Sequence, residues 1–402
     1  MKLIHNAAEV VTVATHDRIE THEQAAVLVE DGTVEAVGPS DELTRSYPPE
    51  TVDVAIDAGG KTVVPGFVDP HTHAVFAGDR SNEFEAKLAG KTYQEIRDDG
   101  GGILRTVRST REASTDQLVD LLLEQLDVML AHGTTTAEVK SGYGLETETE
   151  LRMLKAIEIA DDEHPIDLVA TFLGAHDVPP ESNTESYVDD VVESQIPAVA
   201  DQGIAEFCDV FCETGVFDIE QSRRVLEAGR DHGLMPKVHA DELSHLGGTQ
   251  LAADVGAASA DHLLYSTEDD AEALSEADVS PVLLPGTAFS LGVEYADAQQ
   301  FLDAGAPVAV ATDLNPNCYS QSMGFAVSLA CIGMGMTPAR ALGAATSNAA
   351  RAIGRDDGPG EITPGSPADI AILDAPSHAH VPYNFGVNNV ETVLKDGVIV
   401  HD

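Results

Sequence analysis

The strongest constraint on the fold is an alternation of strand and helix patterns along most of the chain. Apolar runs of strand length recur and are separated by amphipathic helical segments. The eight predicted strands are Lys61–Val68, Thr134–Val139, Asp167–Leu173, Ala205–Phe211, Leu234–His239, Ala258–Leu263, Ser280–Leu284 and Pro307–Thr312. The predicted helices include Thr115–Ala131, Glu146–Ala160, Glu185–Ala200, Ile219–His232 and Ser320–Met334. This order predicts an α/β fold, a closed parallel (β/α)8 TIM barrel, rather than a doubly wound open sheet, since no Gly-x-Gly-x-x-Gly motif follows a strand.

Both chain ends have a different pattern from the middle. Short alternating strands occupy the N-terminal segment, and the C-terminal segment returns to that style. Asp31-Gly32 and Asp396-Gly397 are strong hairpin-turn signals between pairs of these strands. We therefore predict a small β-sandwich domain formed from residues 1–64 and 355–402, with the barrel in residues 65–354.

Composition narrows the class of protein. Hydrophobic residues make up 43% of the chain, which supports a full core. No apolar run is long enough to predict a membrane span, the N-terminal residues lack the apolar core of a signal peptide, and four cysteines are too few for a disulfide framework. We therefore expect a cytoplasmic protein. Cys208 and Cys212 could share a strand face and bind zinc, although buried core thiols are the better interpretation.

The charge of the chain is extreme. Asp and Glu number 69 against 22 Lys and Arg, giving a net charge of −47 that is spread along the whole chain. The apolar content speaks against disorder, so the charge indicates a surface adapted to high salt. At about 1 M salt the Debye length falls to ~3 Å and self-repulsion is screened. Such a surface argues against nucleic acid or an anionic membrane as a partner.

Polar side chains stand where the predicted barrel strands end, which is where barrels carry their chemistry. His71 and His73 follow the first strand, and side chains at i and i+2 of an extended segment point to the same side. His239 and Asp313 follow the fifth and eighth strands. Three imidazoles and a carboxylate suit one divalent metal ion, either Zn²⁺ or Fe. We therefore predict a metal-dependent hydrolase whose ligands are His71, His73, His239 and Asp313.

Two further residues are candidates for the chemistry around that metal. Glu242 lies three residues after His239, close enough to take a proton from water and return it to a leaving nitrogen. His262 could stabilise charge that develops on a substrate oxygen. Carbamylation of Lys140 to bridge two metals is a minor alternative, because one metal accounts for all the ligands.

Arg80 indicates the charge of the substrate. It stands seven residues after His73 on the loop that leaves the metal site, and a guanidinium binds a carboxylate in a bidentate manner. A small anionic substrate is therefore implied, while a structural salt bridge to Glu83 or Glu85 explains Arg80 at least as well.

The segment after this loop allows two interpretations. Residues 98–103, with Gly100 to Gly102, form either a lid hinge or a plain turn. The arginines that follow at helical spacing are interpreted as a solvated face or a subunit contact, and they are Arg105, Arg108 and Arg111.

Several of these strings resemble a known family. Pro65-Gly66-Phe67-Val68-Asp69-Pro70-His71-Thr72-His73 resembles the first metal motif of the amidohydrolase superfamily, and its continuation through Val75–Phe84 is similar to the imidazolonepropionase family within it. Further similar strings are Gly100–Ile103, Glu138–Leu145, Thr171–His176, Phe207–Glu213, His239–Glu242, Asp261–Leu263, Ala311–Pro316 and Phe385–Asn388. The resemblance thus covers nearly the whole chain.

The resemblance implies ring-opening hydrolysis of 4-imidazolone-5-propanoate to N-formimino-L-glutamate, in histidine degradation, with one zinc or iron and a possible homodimer. By the same resemblance, the four metal ligands are those predicted above and Glu242 moves the proton. The substrate would be held by Arg80, Tyr143 and His176, with Asn315 lining the pocket. Asn317 and Cys318 depart from the Gly and Ser or Thr that the family has at these substrate contacts, but both can form hydrogen bonds. Another amidohydrolase, a cyclic amidase or a ring deaminase, remains an alternative, as does a non-catalytic scaffold with this fold.

The charge pattern generates a prediction about salt. The folded state concentrates like charges that an expanded chain would separate, and salt also eases the approach of an anionic substrate. We expect the thermal midpoint and kcat/KM both to rise substantially between about 0.1 M and about 2 M KCl. Thermal melts and initial rates in the same salt series measure this. Values that stay flat across the series would contradict the salt-adapted interpretation.

Overall fold

The structure is a computed structural model that describes residues 1–15, 18–91, 95–96, 99–356 and 358–402. Asp98, part of the predicted hinge segment, lies outside the described residues. The strands described are β1 (Lys2–Thr15), β2 (Arg18–Glu30), β3 (Thr33–Pro39), β4 (Val54–Asp57), β5 (Thr62–Pro65), β6 (Phe67–Asp69), β7 (Thr134–Lys140), β8 (Asp167–Ala175), β9 (Phe207–Cys212), β10 (Met235–Ala240), β11 (Ser259–His262), β12 (Ser280–Leu283), β13 (Ala309–Val310), β14 (Ile370–Leu373), β15 (Val390–Lys395) and β16 (Val398–His401).

The helices described are α1 (Ser40–Ser46), α2 (Ser81–Leu88), α3 (Ile103–Glu112), α4 (Thr115–Ala131), α5 (Thr147–Glu163), α6 (Thr184–Asp190), α7 (Ile196–Gln202), α8 (Ile219–Asp231), α9 (Gly248–Val255), α10 (Glu268–Glu276), α11 (Pro285–Leu291), α12 (Ala298–Asp303), α13 (Met323–Ile332), α14 (Pro338–Ala344), α15 (Ser347–Ala352) and α16 (His380–Tyr383). A 3-10 turn spans Pro49–Thr51, and a π-helical turn, Val191–Gln195, joins α6 to α7. The helical segment is continuous from Thr184 to Gln202, so the predicted helix Glu185–Ala200 is present, with a π bulge in its middle that the sequence pattern did not predict. None of the helices in the described ranges is both long and apolar enough to cross a membrane.

Strands β6 to β13 form the barrel. They pair in chain order, and every pairing is parallel. The two ends of this sheet meet through a parallel bridge between Thr72 and Leu314, just beyond β6 and β13. The buried carboxylate of Asp69 adds a second connection, because it accepts hydrogen bonds from the backbone N–H of Thr312 at 3.1 Å and from its hydroxyl at 2.5 Å. The predicted (β/α)8 barrel is confirmed.

The remaining strands form a separate mixed sheet from both chain termini. Its order is β16-β15-β14-β5-β1-β2-β3, with β4 beside β1. Asp31 and Gly32 turn between β2 and β3 with φ values of +48° and +83°, and Asp396 and Gly397 turn between β15 and β16 with φ values of +48° and +68°. These left-handed conformations suit the Asp-Gly pairs that predicted the two hairpins. A small domain built from both termini is thus present.

The first predicted strand, Lys61–Val68, is wrong as a single element. Its first half, β5, pairs with β1 and β14 in the terminal sheet, whereas β6 pairs with β7 in the barrel. Gly66 stands between them, where a Cβ would lie 2.3 Å from the Thr135 hydroxyl oxygen. Only glycine allows the chain to pass Thr135 so closely. The terminal sheet is therefore one residue away from the strand that leads to His71.

The helices bury apolar faces against the barrel. The predicted bounds of α4 are correct to the residue. Its start is fixed by a capping box between Ser114 and Gln117. Leu118, Leu122 and Leu126 recur along α4 and are fully buried. Cys208 and Cys212 of β9 are buried too, and burial raises the pKa of the Cys212 thiol to about 12. Both are core thiols, as the preferred interpretation had it.

Candidate active site

The four predicted metal ligands come together at the carboxyl ends of the barrel strands. The Nε2 atom of His73 lies 3.3 Å from Nε2 of His71 and 3.3 Å from Nε2 of His239. The Oδ1 atom of Asp313 lies 3.5 Å from Nε2 of His71 and 3.7 Å from Nε2 of His73. All four side chains are at least 96% buried.

His71 and His239 each place a carboxylate against Nδ1, which leaves Nε2 free to face a cation. His71 Nδ1 lies 2.7 Å from a carboxylate oxygen of Asp261, and His239 Nδ1 lies 3.0 Å from one of Asp209. Because a carboxylate only accepts, each Nδ1 carries the proton and each Nε2 presents a lone pair to the centre. Burial lowers the pKa of His71 well below its ordinary range, with the charge of Lys140 adding to the effect. Ligand nitrogens about 2.1 Å from a tetrahedral metal stand about 3.4 Å apart, so the residues fit a divalent ion.

Asp313 is held by groups from two neighbouring segments. Its backbone N–H donates to the His71 carbonyl at 3.2 Å, and its φ of +52° is unusual for a residue other than glycine. The Thr287 hydroxyl, at the start of α11, donates to its Oδ2. Thr287, which follows the seventh barrel strand, β12, therefore contributes a contact to the site that the sequence analysis did not predict.

Glu242 and His262 face each other beside the cluster, with 3.7 Å between Oε2 and Nε2. Burial raises the pKa of Glu242 to about 8, and the Asp313 carboxylate adds to this effect. A bound divalent cation would oppose that rise. Glu213 holds the turn after Glu242, since its Oε2 accepts from the backbone N–H of Leu243 at 2.8 Å and of Ser244 at 3.3 Å. The sequence analysis names Glu213 only as the end of the string Phe207–Glu213 and predicts no role for it.

Tyr143 and His176 lie on the other side of His73. The rings of His176 and His73 stack with centroids 5.0 Å apart, and the Tyr143 ring centroid lies 5.3 Å from that of His176. His176 Nδ1 is 3.0 Å from the Gly142 carbonyl, which can only accept, so Nδ1 is protonated. Burial lowers the pKa of His176 to about 3, with the charge of His239 adding to it. The ring is therefore neutral and its Nε2 is an acceptor.

Arg80 makes the salt bridge that its sequence context allowed. Its Nε donates to Glu83 Oε2 at 2.9 Å, and the Arg80 side chain is 9% exposed. Both Glu83 oxygens also lie 3.2 Å from the backbone N–H of Gly102, which ties α2 to the glycine segment. Within the described ranges, Nη1 and Nη2 of Arg80 have no hydrogen-bond acceptor. As far as the described residues go, those two atoms can therefore bind a carboxylate. Nothing tests whether the glycine segment moves, so the lid stays a prediction.

Asn315 is largely occupied by its own turn. Its side-chain N–H donates to the Asp313 carbonyl at 2.8 Å, and its Oδ1 accepts from the backbone N–H groups of Asn317 and Cys318 at 2.8 and 2.9 Å. Asn317 is exposed, whereas the Cys318 thiol is buried against the Thr312 carbonyl at 3.7 Å. Burial raises the pKa of that thiol to about 12. The two residues that depart from the family pattern thus have different surroundings.

The three arginines of α3 bind their own chain. Arg111 donates to the carbonyls of Gly144 and Leu145 at 2.7 and 3.1 Å, so it supports the loop that follows Tyr143. Arg105 donates to the Asn82 side chain at 2.7 Å, and Arg108 donates to the Gly100 carbonyl. The interpretation as a solvated face is therefore wrong for Arg111, which is 25% exposed.

Comparisons with known proteins identify the family to which the chain belongs. Residues 221–400 match the amidohydrolase family, and residues 25–49 match the imidazolonepropionase-like composite domain of bacteria. The chain is 62% identical over 400 residues to the imidazolonepropionase of Haloarcula marismortui, with 99% of this chain and 95% of that protein covered. It is 61% identical over 405 residues to that of Halobacterium salinarum (99% and 97% covered) and 50% identical over 385 residues to that of Geobacillus kaustophilus (94% and 91% covered).

Solved structures share the fold at low sequence identity. A zinc-bound adenosine deaminase from Xanthomonas campestris superposes with a TM-score of 0.76 at 18% identity, over 100% of this chain and 92% of that one. The guanine deaminase of E. coli gives a TM-score of 0.70 at 17% identity, over 100% and 99%. At such identities the likeness concerns the fold alone.

Proposed function

This chain belongs to the imidazolonepropionase family of the amidohydrolases and hydrolyses imidazolonepropionate in histidine degradation, and we propose that the reaction takes place at the histidine cluster at the mouth of its barrel. The observation that supports this location is the set of three mutually facing Nε2 atoms with a carboxylate beside them. The relatives from Haloarcula marismortui and Halobacterium salinarum also confirm the salt-adapted interpretation of the composition.

The proposed holders of the metal are His71, His73, His239 and Asp313. A divalent ion bound there would polarise the substrate carbonyl and lower the pKa of a water molecule. Nitrogen and oxygen donors of this kind suit zinc and iron alike. Zinc is bound in the Xanthomonas campestris structure that shares the fold, but a likeness at 18% identity concerns the fold and does not identify the metal of this chain.

Glu242 is the proposed proton carrier. Hydrolysis adds the oxygen of water to the ring carbonyl carbon and breaks the bond from that carbon to the ring nitrogen. The water gives up a proton and the departing nitrogen needs one, so a single carboxylate can accept the first and supply the second. His262, 3.7 Å from Glu242, can donate an N–H to the carbonyl oxygen as charge develops on it.

The proposed substrate contacts surround this centre. Arg80 keeps two N–H-bearing nitrogens for the propanoate carboxylate, while Glu83 holds its Nε. Tyr143 and His176 line the side beyond His73, and His176 offers an acceptor to a ring N–H. Asn315 shapes the turn that carries Asn317 and Cys318, which we propose as further contacts.

A first prediction concerns the metal. Asp313→Ala removes the carboxylate ligand, so we expect the purified variant to lose its metal and its activity together. Metal content by mass spectrometry and turnover on one sample measure this. His245→Ala is the control, because His245 sits with Asp241 and Asp270 in a separate histidine and carboxylate group and should leave the metal in place. An Asp313→Ala protein with stoichiometric metal and near-normal turnover would show the assignment to be wrong.

A second prediction separates chemistry from binding. Glu242→Gln keeps the shape but cannot accept a proton, so kcat should fall by roughly 10²-fold or more with metal retained. Arg80→Ala should instead raise KM sharply, because the carboxylate loses its guanidinium partner. Steady-state kinetics on both variants decide the matter. The assigned roles fail if Glu242→Gln changes only KM.

We also propose that the chain forms a homodimer through an exposed neutral face. This face is defined by Phe289, Ile332, Phe385 and Val387, whose exposed fractions are 58%, 66%, 66% and 65%. The segments that carry these side chains are neighbours, since the ring of Phe289 contacts that of Phe325 on α13, and α13 packs against α16, which ends just before Phe385. No acidic residue occurs in residues 314–355 or 375–390.

The charge distribution favours a second copy of this chain as the partner of this face. Two molecules that each carry −47 repel unless they meet through a surface without acidic groups. An exposed apolar patch on an otherwise charged surface marks an interaction site, and twofold homodimers are the commonest soluble assembly. The string Phe385–Asn388, which has no role in the cluster, lies on this face.

The dimer proposal predicts a change of mass. In about 2 M KCl the wild type should sediment as a dimer, and Phe385→Asp combined with Val387→Asp should sediment as a monomer, because buried unpaired charges oppose association. Met235→Asp is the control, since Met235 is 51% exposed and lies outside the face. A monomeric wild type, or a double variant that remains dimeric, would refute the proposal.

A cytoplasmic location is proposed as well. It rests on the four free cysteines, of which three are buried.

A further inference from the structure

Two of the eight lysines of this chain are fully buried beneath the histidine cluster. Lys140 lies at the end of β7 and Lys237 in β10. Removing an ammonium group from water costs several kcal/mol unless it is paired and hydrogen-bonded. Two of the few lysines in this chain therefore carry a large desolvation cost, and other buried groups must offset it.

Three buried carboxylates provide that interaction. Lys140 Nζ lies 2.8 Å from Asp209 Oδ2, 2.9 Å from Glu138 Oε1 and 3.5 Å from Asp261 Oδ2. Lys237 Nζ lies 3.0 Å from Glu138 Oε2 and 4.0 Å from Asp261 Oδ2. It also donates to the Pro70 carbonyl at 3.2 Å, one residue before His71.

The same carboxylate oxygens also orient the histidines. Asp209 Oδ2 contacts both Lys140 and His239, and Asp261 Oδ2 contacts both Lys140 and His71. Each aspartate thus joins the ammonium group to the Nδ1 atom of a histidine whose Nε2 points to the centre. Such outer partners fix the tautomer and the ring orientation of a metal ligand.

The charges of the two lysines, their carboxylate partners and Asp313 balance with a single divalent ion. Four carboxylates belong to it, namely Glu138, Asp209, Asp261 and Asp313. The two ammonium groups neutralise two of these charges, and one divalent ion neutralises the other two. A second ion in the group formed by His71, Glu138 and Asp261 would have to displace the lysines.

We propose that Lys140 is a positioning residue: its ammonium group fills the second cation position of the site and holds the two aspartates that orient His71 and His239 toward a single metal ion. Burial alone would lower the pKa of Lys140, but the carboxylates of Asp209 and Glu138 outweigh it and raise that pKa above its ordinary value. A carbamate on Lys140 would instead place a negative charge among three carboxylates, so the carbamylation alternative does not suit these surroundings.

The proposal rests on the proposed metal ligands, and Lys237 allows the two to be tested separately. Both lysines are fully buried and share Glu138, but only Lys140 is within hydrogen-bonding distance of an aspartate that orients a histidine. A purely structural role for the lysines would therefore affect both variants alike. A positioning role would affect Lys140 far more.

The experiment titrates Zn²⁺ into metal-free wild type, Lys140→Met and Lys237→Met in high KCl, with thermal melts of the same samples. Methionine keeps most of the length of the lysine side chain but removes its charge. We expect one ion per wild-type chain, a 10- to 100-fold weaker Kd in Lys140→Met, and a change of about threefold or less in Lys237→Met, with both thermal midpoints lowered. Added bicarbonate should change neither stoichiometry nor affinity. Equal losses of affinity in the two variants, an unchanged Kd in Lys140→Met, or a bicarbonate-dependent second ion would each overturn the proposal.

A second variant covers the case in which Lys140→Met does not fold. Asp209→Asn keeps the shape and one acceptor but cannot serve both Lys140 and His239 as a charged oxygen does, so its Zn²⁺ affinity should fall at least tenfold. A Kd within about twofold of wild type would overturn the positioning role. Asp313→Ala tests the metal site itself, and the ligand assignment fails if that variant binds Zn²⁺ like the wild type. If Asp313→Ala loses Zn²⁺ affinity while Asp209→Asn and Lys140→Met do not, the ligand assignment stands and only the positioning role of Lys140 is refuted.

Discussion

The hydrogen bond between His71 and Asp261 and the close contact of His239 with the Asp209 carboxylate are the interactions on which the site depends. At 2.7 and 3.0 Å they decide which nitrogen of each ring carries a proton, and therefore which nitrogen can face a cation. Without them the rings could rotate or exchange tautomers, and the three Nε2 atoms would not converge. The aspartates are in turn fixed by Lys140, so the orientation of the ligands is determined by a buried layer of opposite charges.

Barrel closure supplies the distances that this layer needs. Asp313 reaches His71 only because β13 returns to β6, where Thr72 bridges to Leu314 and Asp69 accepts from Thr312. A parallel barrel places the carboxyl ends of all its strands at one mouth, which lets ligands from β6, β10 and β13 meet. Gly66 alone separates β5 of the terminal sheet from β6 of the barrel. The small domain therefore fixes the start of the strand that leads to His71 and His73, the first two proposed ligands.

How much of this could be predicted depended on whether the signal was local. The helix α4 could be predicted to the residue, because its cap and its apolar spacing are both written within a short window. The convergence of His71, His73, His239 and Asp313 could be predicted because the strand ends of a barrel meet at one mouth. The division of Lys61–Val68 between two sheets could not, since the partners of each half lie elsewhere in the chain and the apolar run itself is continuous. The pairing of Lys140 with Asp209 was hidden for the same reason, as the two are 69 residues apart. A buried aspartate inside an apolar strand, Phe207-Cys208-Asp209, was the one signal that pointed to it.

The site must attract an anion inside a strongly acidic protein, and the scale of screening resolves this conflict. At about 1 M salt a charge acts over only ~3 Å, so the exposed acids that make up the −47 hardly affect the potential at the mouth of the barrel. What the substrate meets there is set by the nearest groups, which are screened least because they are buried. In the buried assembly, two ammonium groups offset two of four carboxylates, and the proposed divalent ion would offset the other two. Arg80 adds a positive charge that Glu83 engages only through Nε. The surface could therefore become acidic for solubility in salt without changing the electrostatics of the reaction, because the two are separated by more than a Debye length.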